Sequence, residues 1–244
     1  MSIVRFIVTA LTAGLIAATP ALSQPPGQMG PTPLFEGDPR EITSQVVPLP
    51  GTDISAVDRD GNLVLITSNK RYAVVGKVID LLERKELRTI EDIKQARRLD
   101  FKGIGIDFTE MGAVTFGNGP KEVIYFVDPY CPHCNELLKQ SRGLFNDYTF
   151  RVVLVPLYKG PVAADTSIRL VCNPDQDQSR QALFSKQFDK LPAASDSCDR
   201  AQFYRNAAVA QLLNVEGVPF VYAPNGEPHL GTPRDLAAFL EDNA

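Results

Sequence analysis

Two cysteines, Cys131 and Cys134, enclose Pro132 and His133 and give the chain a CPHC motif. The motif directly follows the apolar, β-rich run 123–127 and precedes a stretch with the periodicity of an amphipathic helix. This context places the first cysteine at a helix N-terminus, where unpaired N–H groups and a partial positive charge favour a thiolate. Because only the thiolate attacks a disulfide, the sequence predicts a thiol-disulfide exchange site.

Each residue of the motif has a predicted role. Cys131 is the nucleophile, since helix geometry is expected to leave the first cysteine exposed, and Cys134 is the resolving thiol. His133 is expected to stabilise the Cys131 thiolate through a hydrogen bond or a partial positive charge. Pro132 fixes φ at the first helical position, where no N–H donor is needed. The alternative is a plain buried disulfide, which would close a tiny loop and stabilise little.

Two further cysteines, Cys172 and Cys198, lie far apart in the sequence. This spacing indicates one redox-active pair and one structural pair. A disulfide that closes so long a loop stabilises the folded state by roughly 3 to 4 kcal/mol. A zinc or copper site remains the alternative, built from all four cysteines or from the CPHC pair with His133 and His229. Four-cysteine zinc sites usually show two close pairs, so we predict no metal.

Pro219 enters a predicted strand at 220–223, after Gly217 and Val218. A proline at this place must lie at a sheet edge or in a special turn, and its X-Pro bond is a candidate for the cis form. An ordinary trans proline is the alternative. Its position after the CPHC motif favours cis.

The first residues predict export. Arg5 precedes the uncharged apolar run 6–18, which is too short to span a bilayer, and small residues at 21–23 fit a cleavage site. We therefore predict a signal peptide at 1–23, with an uncleaved anchor as the alternative. Four cysteines in an exported chain indicate an oxidising compartment. The net charge of -4, with scattered basic residues, argues against nucleic acid as a partner.

The elements before the motif form a small β-rich region. A Pro- and Gly-rich lead-in at 24–44 is predicted to be flexible. The region at 45–88 contains predicted strands at 54–57, 63–67 and 72–78, the first two joined by an Asp60-Gly61 hairpin turn. Its apolar content is too thin to be stable alone, so self-association is expected. Thr89 is predicted to cap a solvated linker helix at 89–102.

The region at 103–244 predicts a thioredoxin-type sheet. The predicted elements are strands at 113–116 and 123–127, the CPHC helix, a strand at 150–156, a helical insertion at about 163–213, strands at 220–223 and 228–230, and a final helix capped by Thr232-Pro233. Apart from Arg151, the run 150–156 is apolar, which is typical of a parallel strand covered on both faces. The fold class is therefore α+β.

The chain resembles the periplasmic disulfide isomerases of the DsbC and DsbG family, which have a thioredoxin-like catalytic domain. The segments that carry the resemblance are VDPYCPHC at 127–134, LVC at 170–172, SCD at 197–199, VEGVP at 215–219 and NG at 225–226. The likeness covers nearly all of the chain from about residue 45 onward. Asp128 belongs to the first segment, and we assign it no role from the sequence.

The resemblance implies an architecture and several site residues. Region 45–88 would be a DsbC-like dimerisation domain, followed by the linker helix and a catalytic domain with a helical insertion, in a homodimer. Pro219 would be cis and face the CPHC pair, and Val218 would offer backbone contacts to bound substrate. Cys172 would pair with Cys198 in a structural disulfide.

The implied function is a periplasmic thiol:disulfide interchange protein that reshuffles non-native disulfides. Its partners would be unfolded or misoxidised exported proteins and a membrane thiol reductant of the DsbD type, and no metal or organic cofactor is required. Pro132-His133 and Val218 match the strongly oxidising DsbA type instead, so a net thiol oxidase is the alternative, and a redox-inactive chaperone or metal-binding module is another. Tyr125 stands where many thioredoxin-fold oxidoreductases have a buried acid, so proton transfer from Cys134 needs another route.

Overall fold

The computed structural model describes residues 45–244. The predicted signal peptide at 1–23 and the predicted lead-in at 24–44 lie outside the described residues. Within residues 45–244, no helix combines the length and the apolar character needed to cross a membrane.

The N-terminal module is a four-stranded antiparallel sheet in chain order: β1 (Val46–Pro48), β2 (Ile54–Arg59), β3 (Asn62–Thr67) and β4 (Ala73–Val75). Between β2 and β3, Asp60 and Gly61 both have positive φ, at 54° and 78°. Positive φ at both central residues matches the twist of paired strands, so the predicted hairpin is confirmed.

The predicted third strand, 72–78, is divided in the structure. β4 ends at Val75, and β5 (Val78–Asp80) pairs with β6 (Lys85–Leu87) in a separate hairpin. The Asp80 carboxylate accepts hydrogen bonds from the Leu82 and Glu83 N–H groups. This side-chain turn reverses the chain between β5 and β6 and so closes their hairpin.

The module has a thin core, as the sequence predicts. The core cluster contains Val47, Ala56, Leu63, Leu87 and Ile93, and Val57 and Val64 are buried outside it. Ile93 belongs to helix α1 (Ile90–Gln95), whose N-terminus carries a capping box between Thr89 and Asp92. The predicted cap is therefore confirmed.

The predicted linker helix at 89–102 is wrong in its length, because α1 ends at Gln95. The chain beyond it docks on the C-terminal region instead of running through solvent. Arg98 forms an ion pair with Glu227 at 3.0 Å, and the Leu99 N–H donates to the Gly226 carbonyl at 3.2 Å. A side chain at Gly226 would collide with the Leu99 backbone. These tertiary contacts replace the last helical turns.

The C-terminal region contains a five-stranded sheet of order β11-β10-β8-β9-β7. Its strands are β7 (Ala113–Phe116), β8 (Lys121–Val127), β9 (Tyr148–Leu154), β10 (Phe220–Tyr222) and β11 (Pro228–Leu230). β8 and β9 pair in parallel, and the remaining pairs are antiparallel. The prediction of a buried parallel strand at β9 is confirmed.

Helices surround this sheet. They are α2 (Pro132–Ser141), α3 (Gly160–Cys172), α4 (Gln176–Ser185), α5 (Ala201–Leu212) and α6 (Leu236–Asp242), with 3-10 turns at Phe108–Glu110 and Arg142–Leu144. Helices α3 to α5 form the predicted insertion. The large core centres on β8 and β9, where Tyr125, Phe126 and Phe150 are fully buried.

The start of α6 differs from the prediction. Asp235 caps the helix by accepting a hydrogen bond from the Ala238 N–H, whereas Thr232-Pro233 lies before it. The Thr232 hydroxyl instead donates to the His133 carbonyl at 3.1 Å. A carboxylate is at least as good an N-cap as a threonine hydroxyl. The helix therefore begins after Asp235 and not after Thr232.

Candidate active site

The CPHC motif opens helix α2 directly after β8. Cys131 is the N-cap residue with an extended backbone, and Pro132 occupies the first helical turn. The Cys134 N–H donates to the Cys131 sulfur at 3.2 Å. The sulfur therefore takes the place that a capping oxygen takes elsewhere, and the open N–H groups of the helix stabilise negative charge on it.

Both cysteines are free thiols, and both are buried. The prediction that helix geometry leaves Cys131 exposed is therefore wrong. The reason lies in the opposite loop: the Val218–Pro219 peptide bond is cis, and the Cys131 thiol donates to the Val218 carbonyl at 3.5 Å. The structure thus brings the CPHC pair and Val218-Pro219 together, as the resemblance implies.

Asp128, which received no role from the sequence, holds the loop before Cys131. It is fully buried, and one carboxylate oxygen accepts from the Tyr130 N–H at 2.6 Å. The other oxygen accepts from the Leu157 and Tyr158 N–H groups, both at 2.7 Å. Three charge-assisted hydrogen bonds tie the active-site loop to the segment after β9. The available signal was an acid at the end of a wholly apolar strand, since a buried carboxylate must be hydrogen-bonded.

Tyr125 is buried on β8, and its hydroxyl contacts the C-terminal end of α2, not the CPHC motif. Its hydroxyl lies 3.0 Å from the Ser141 hydroxyl on α2, and Ser141 in turn donates to the Leu137 carbonyl at 2.9 Å. Burial raises the pKa of Tyr125 above its ordinary value. A tyrosine that keeps its proton does not serve as the base for Cys134.

The surroundings of Cys134 disfavour its thiolate. Burial is the main cause that raises the pKa of its thiol, and the neighbouring Cys131 adds to the increase. A backbone hydrogen bond with Asp128 and the positive charge of Lys186 act in the opposite direction. Lys186 follows α4, far from the motif in sequence, and no local pattern marked it as part of the site.

An aromatic cluster lies beside Cys131. The Tyr130 hydroxyl is 3.0 Å from the Thr166 hydroxyl, and its ring packs edge-on against Phe188 with 5.3 Å between centroids. Lys159 lies over the same ring, 4.4 Å from its centroid. Near this cluster Leu157 and Tyr158, which Asp128 anchors through their N–H groups, have exposed side chains. The site is thus bordered by apolar surface.

His133 is exposed, and its contact to the fold is the carbonyl that accepts from Thr232. Among residues 45–244, no hydrogen bond is found between its imidazole and the Cys131 sulfur. Cys172 and Cys198 form a disulfide with 5.7 Å between their Cα atoms. It joins the end of α3 to the segment before α5, and so confirms the predicted pairing.

Comparison with known proteins gives matches among solved structures. No family model and no curated protein matches the chain. A disulfide interchange protein from Neisseria gonorrhoeae is 23% identical with a TM-score of 0.48, covering 57% of this chain and 98% of that chain. The thiol-disulfide exchange protein alpha-DsbA2 from Wolbachia pipientis is 14% identical with a TM-score of 0.44, covering 63% and 97%.

DsbG from Helicobacter pylori is 17% identical with a TM-score of 0.39, covering 73% of this chain and 91% of that chain. Similarity at this level assigns no activity to the chain. The geometry of the site is therefore the basis for assigning a function.

Proposed function

We propose that the chain is a thiol-disulfide oxidoreductase in which Cys131 is the nucleophile and Cys134 the resolving thiol. The observation that carries this proposal is a free dithiol at the N-terminus of α2, in contact with the carbonyl before a cis proline. The helix terminus favours the thiolate that attacks a disulfide. His133, exposed next to Cys131, is proposed to tune that thiolate.

The proposed reaction begins when the Cys131 thiolate attacks a disulfide in an exported protein. A bond forms between Cys131 and one substrate sulfur, and the other substrate sulfur leaves as a thiolate. Either a substrate thiol then attacks the mixed disulfide, which gives isomerisation, or Cys134 attacks Cys131 and releases the reduced substrate. The backbone of Val218 and the apolar surface at Leu157 and Tyr158 are proposed to hold the substrate chain.

Within this chemistry we favour a DsbC/DsbG-like disulfide isomerase that acts as a homodimer in the periplasm. The proposal is supported by the N-terminal module, whose edge strand β4 is exposed along its whole length, and by its thin core. Pairing of two modules would bury surface that one module leaves open. A membrane thiol reductant of the DsbD type would keep the CPHC pair reduced.

Refolding of a scrambled multi-disulfide protein tests the proposed activity. The parent should accelerate recovery of native disulfides, and Cys131→Ala should abolish the acceleration. A Cys131→Ala variant as active as the parent would contradict the proposal and support a chaperone or binding module that uses the same surface without redox turnover.

A net oxidase is the second candidate, favoured by Pro132-His133 and by Val218 before the cis proline. It would donate a Cys131–Cys134 disulfide to substrate instead of using a dithiol. Alkylation of thiols in intact cells distinguishes the two, because an isomerase should be recovered mainly with reduced Cys131 and Cys134. Recovery of a mainly oxidised pair would establish the oxidase in its place.

A further inference from the structure

Lys186 brings a positive charge to the CPHC pair from the helical insertion. Helix α4 packs against α2 and ends at Ser185, and Lys186 follows in the left-handed conformation with φ of 59°. Its ammonium donates to the Pro129 carbonyl at 3.0 Å, two residues before Cys131. The end of α4 is thereby fixed against the loop that leads into the active site.

Three groups in the surroundings of this ammonium carry or can acquire negative charge. It interacts electrostatically with the sulfurs of Cys134 and Cys131 and with the Asp128 carboxylate. The centroid of the Phe188 ring lies 6.0 Å from the ammonium. Burial lowers the pKa of Lys186, whereas these three groups act to keep the proton on the amine.

We propose that Lys186 is the positioning residue that stabilises the thiolate of Cys134 when it resolves the mixed disulfide. This inference rests on the proposed function and deepens it. A buried thiol deprotonates poorly unless a cation compensates the new charge, and Tyr125 keeps its proton and contacts Ser141 at the far end of α2. Lys186 supplies that compensation from the opposite element, the insertion.

The resolving step can be written with its atoms and electrons. Cys134 loses its proton to solvent, and its thiolate attacks the Cys131 sulfur. A bond forms between Cys134 and Cys131, and the bond between Cys131 and the substrate sulfur breaks. The substrate sulfur leaves with the electron pair and is protonated by solvent. Lys186 bonds to neither sulfur and acts only through its charge.

The reaction of the reduced protein with an aromatic disulfide such as Ellman's reagent separates the two cysteines. Attack by Cys131 releases the first arylthiolate at a rate that depends on reagent concentration. Attack by Cys134 on the resulting mixed disulfide releases the second in an intramolecular, concentration-independent phase. The rate of the second phase against pH therefore reports the deprotonation of Cys134.

Lys186→Met should slow the second phase about tenfold at neutral pH and move its pH profile up by about one unit, because one pKa unit corresponds to a tenfold change in the thiolate population. Lys186→Arg should retain most of the parent rate. Lys190→Met is the matched control, since this exposed lysine lies in the same segment and donates to Gln187, and its profile should equal the parent's.

Lys186→Gln distinguishes charge from position. It keeps an N–H donor for the Pro129 carbonyl without the charge, so it should fold even where the methionine variant does not, and it should show the slow second phase. A glutamine variant with the parent profile would overturn the proposal. A parent that releases no second arylthiolate would instead contradict the exchange chemistry of the proposed function.

Discussion

At the scale of single residues, the geometry around Cys131 depends on a carboxylate that never touches the sulfur. Asp128 is buried, and three backbone N–H groups from two separate segments donate to it. Since backbone donors cannot move away independently, they fix the loop that connects β8 to α2. The position of the Cys131 nucleophile thus depends on Asp128, a residue that takes no part in the exchange reaction.

Asp128→Asn should lower the free energy of unfolding by about 2–3 kcal/mol, because an amide offers one acceptor oxygen where the carboxylate offers two, and it places N–H groups against N–H donors. Urea denaturation measures the change. The control is Asp165→Asn, at an exposed residue paired with Arg169, which should change stability by less than about 0.5 kcal/mol. Equal effects of the two substitutions would contradict the role given to Asp128.

Cys134 should make the stability of the reduced protein depend on alkaline pH. Folding raises the pKa of its thiol above the ordinary value of 9.0, so above about pH 9 the unfolded chain loses a proton that the folded chain keeps. The stability associated with the protonated thiol is complete below pH 9 and is lost as the pH rises. Urea denaturation under reducing conditions should show a steeper alkaline loss for the parent than for Cys134→Ala. Parallel pH profiles would contradict this expectation.

The sequence predicts site residues well where their signal is local. Cys131 and Cys134 follow from a motif between a strand and a helix, and Pro219 from its place at a strand start. Lys186 was not predictable, because it reaches the site only through the packing of α4 on α2. The burial of Cys131 was also missed, since the Val218 carbonyl that covers it comes from a distant loop.

At the scale of elements, the helical insertion supplies one flank of the site and is closed by its own disulfide. The bond between Cys172 and Cys198 joins the end of α3 to the segment before α5. Between them lies α4, which carries Lys186 at its end. The disulfide therefore limits the freedom of the segment that brings the positive charge to the cysteines.

A double Cys172→Ser, Cys198→Ser variant should lose about 3–4 kcal/mol of stability, the chain-entropy expectation for a loop that spans 26 positions. Urea denaturation of the oxidised proteins measures the difference. The loss should disappear when both proteins are unfolded under reducing conditions, where neither contains the bond. A loss of the same size under reducing conditions would assign the effect to packing of the serines.

The bounds of helices and strands differ from the predictions where tertiary contacts compete with local sequence signals. The hairpin at Asp60-Gly61 and the cap at Thr89 form as predicted, because both signals act within a few residues. Helix α6 starts at Leu236 with Asp235 as its N-cap, because the Thr232 hydroxyl donates to the His133 carbonyl instead. Helix α1 stops early because contacts with Glu227 and Gly226 replace its last turns.

At the scale of the whole molecule, no strand among residues 45–244 pairs with the outer edge of β4 in the N-terminal module. All three residues of β4 are exposed, and Val74 is 56% exposed. An edge strand with unpaired N–H and C=O groups and apolar side chains is suited to pairing with another strand. We therefore expect the module to associate with a second copy through β4.

Sedimentation analysis should give a dimer for the parent and a monomer for Val74→Lys, since lysine on an edge strand opposes pairing. Val46→Lys is the matched control, because Val46 is similarly exposed on β1 at the other edge of the sheet. It should remain a dimer. A monomeric parent at micromolar concentration would contradict the proposed assembly and leave the exchange chemistry intact.

The central claim is that Cys131 forms a mixed disulfide with substrate that Cys134 resolves, and covalent trapping tests it most directly. The Cys134→Ala variant is incubated with a scrambled multi-disulfide protein, and the products are examined by non-reducing gel and mass spectrometry. The account predicts a covalent complex through Cys131 that a reductant releases, little complex with the parent, and none with Cys131→Ala. A Cys134→Ala variant that forms no complex, or one that forms it through another cysteine, would contradict the account.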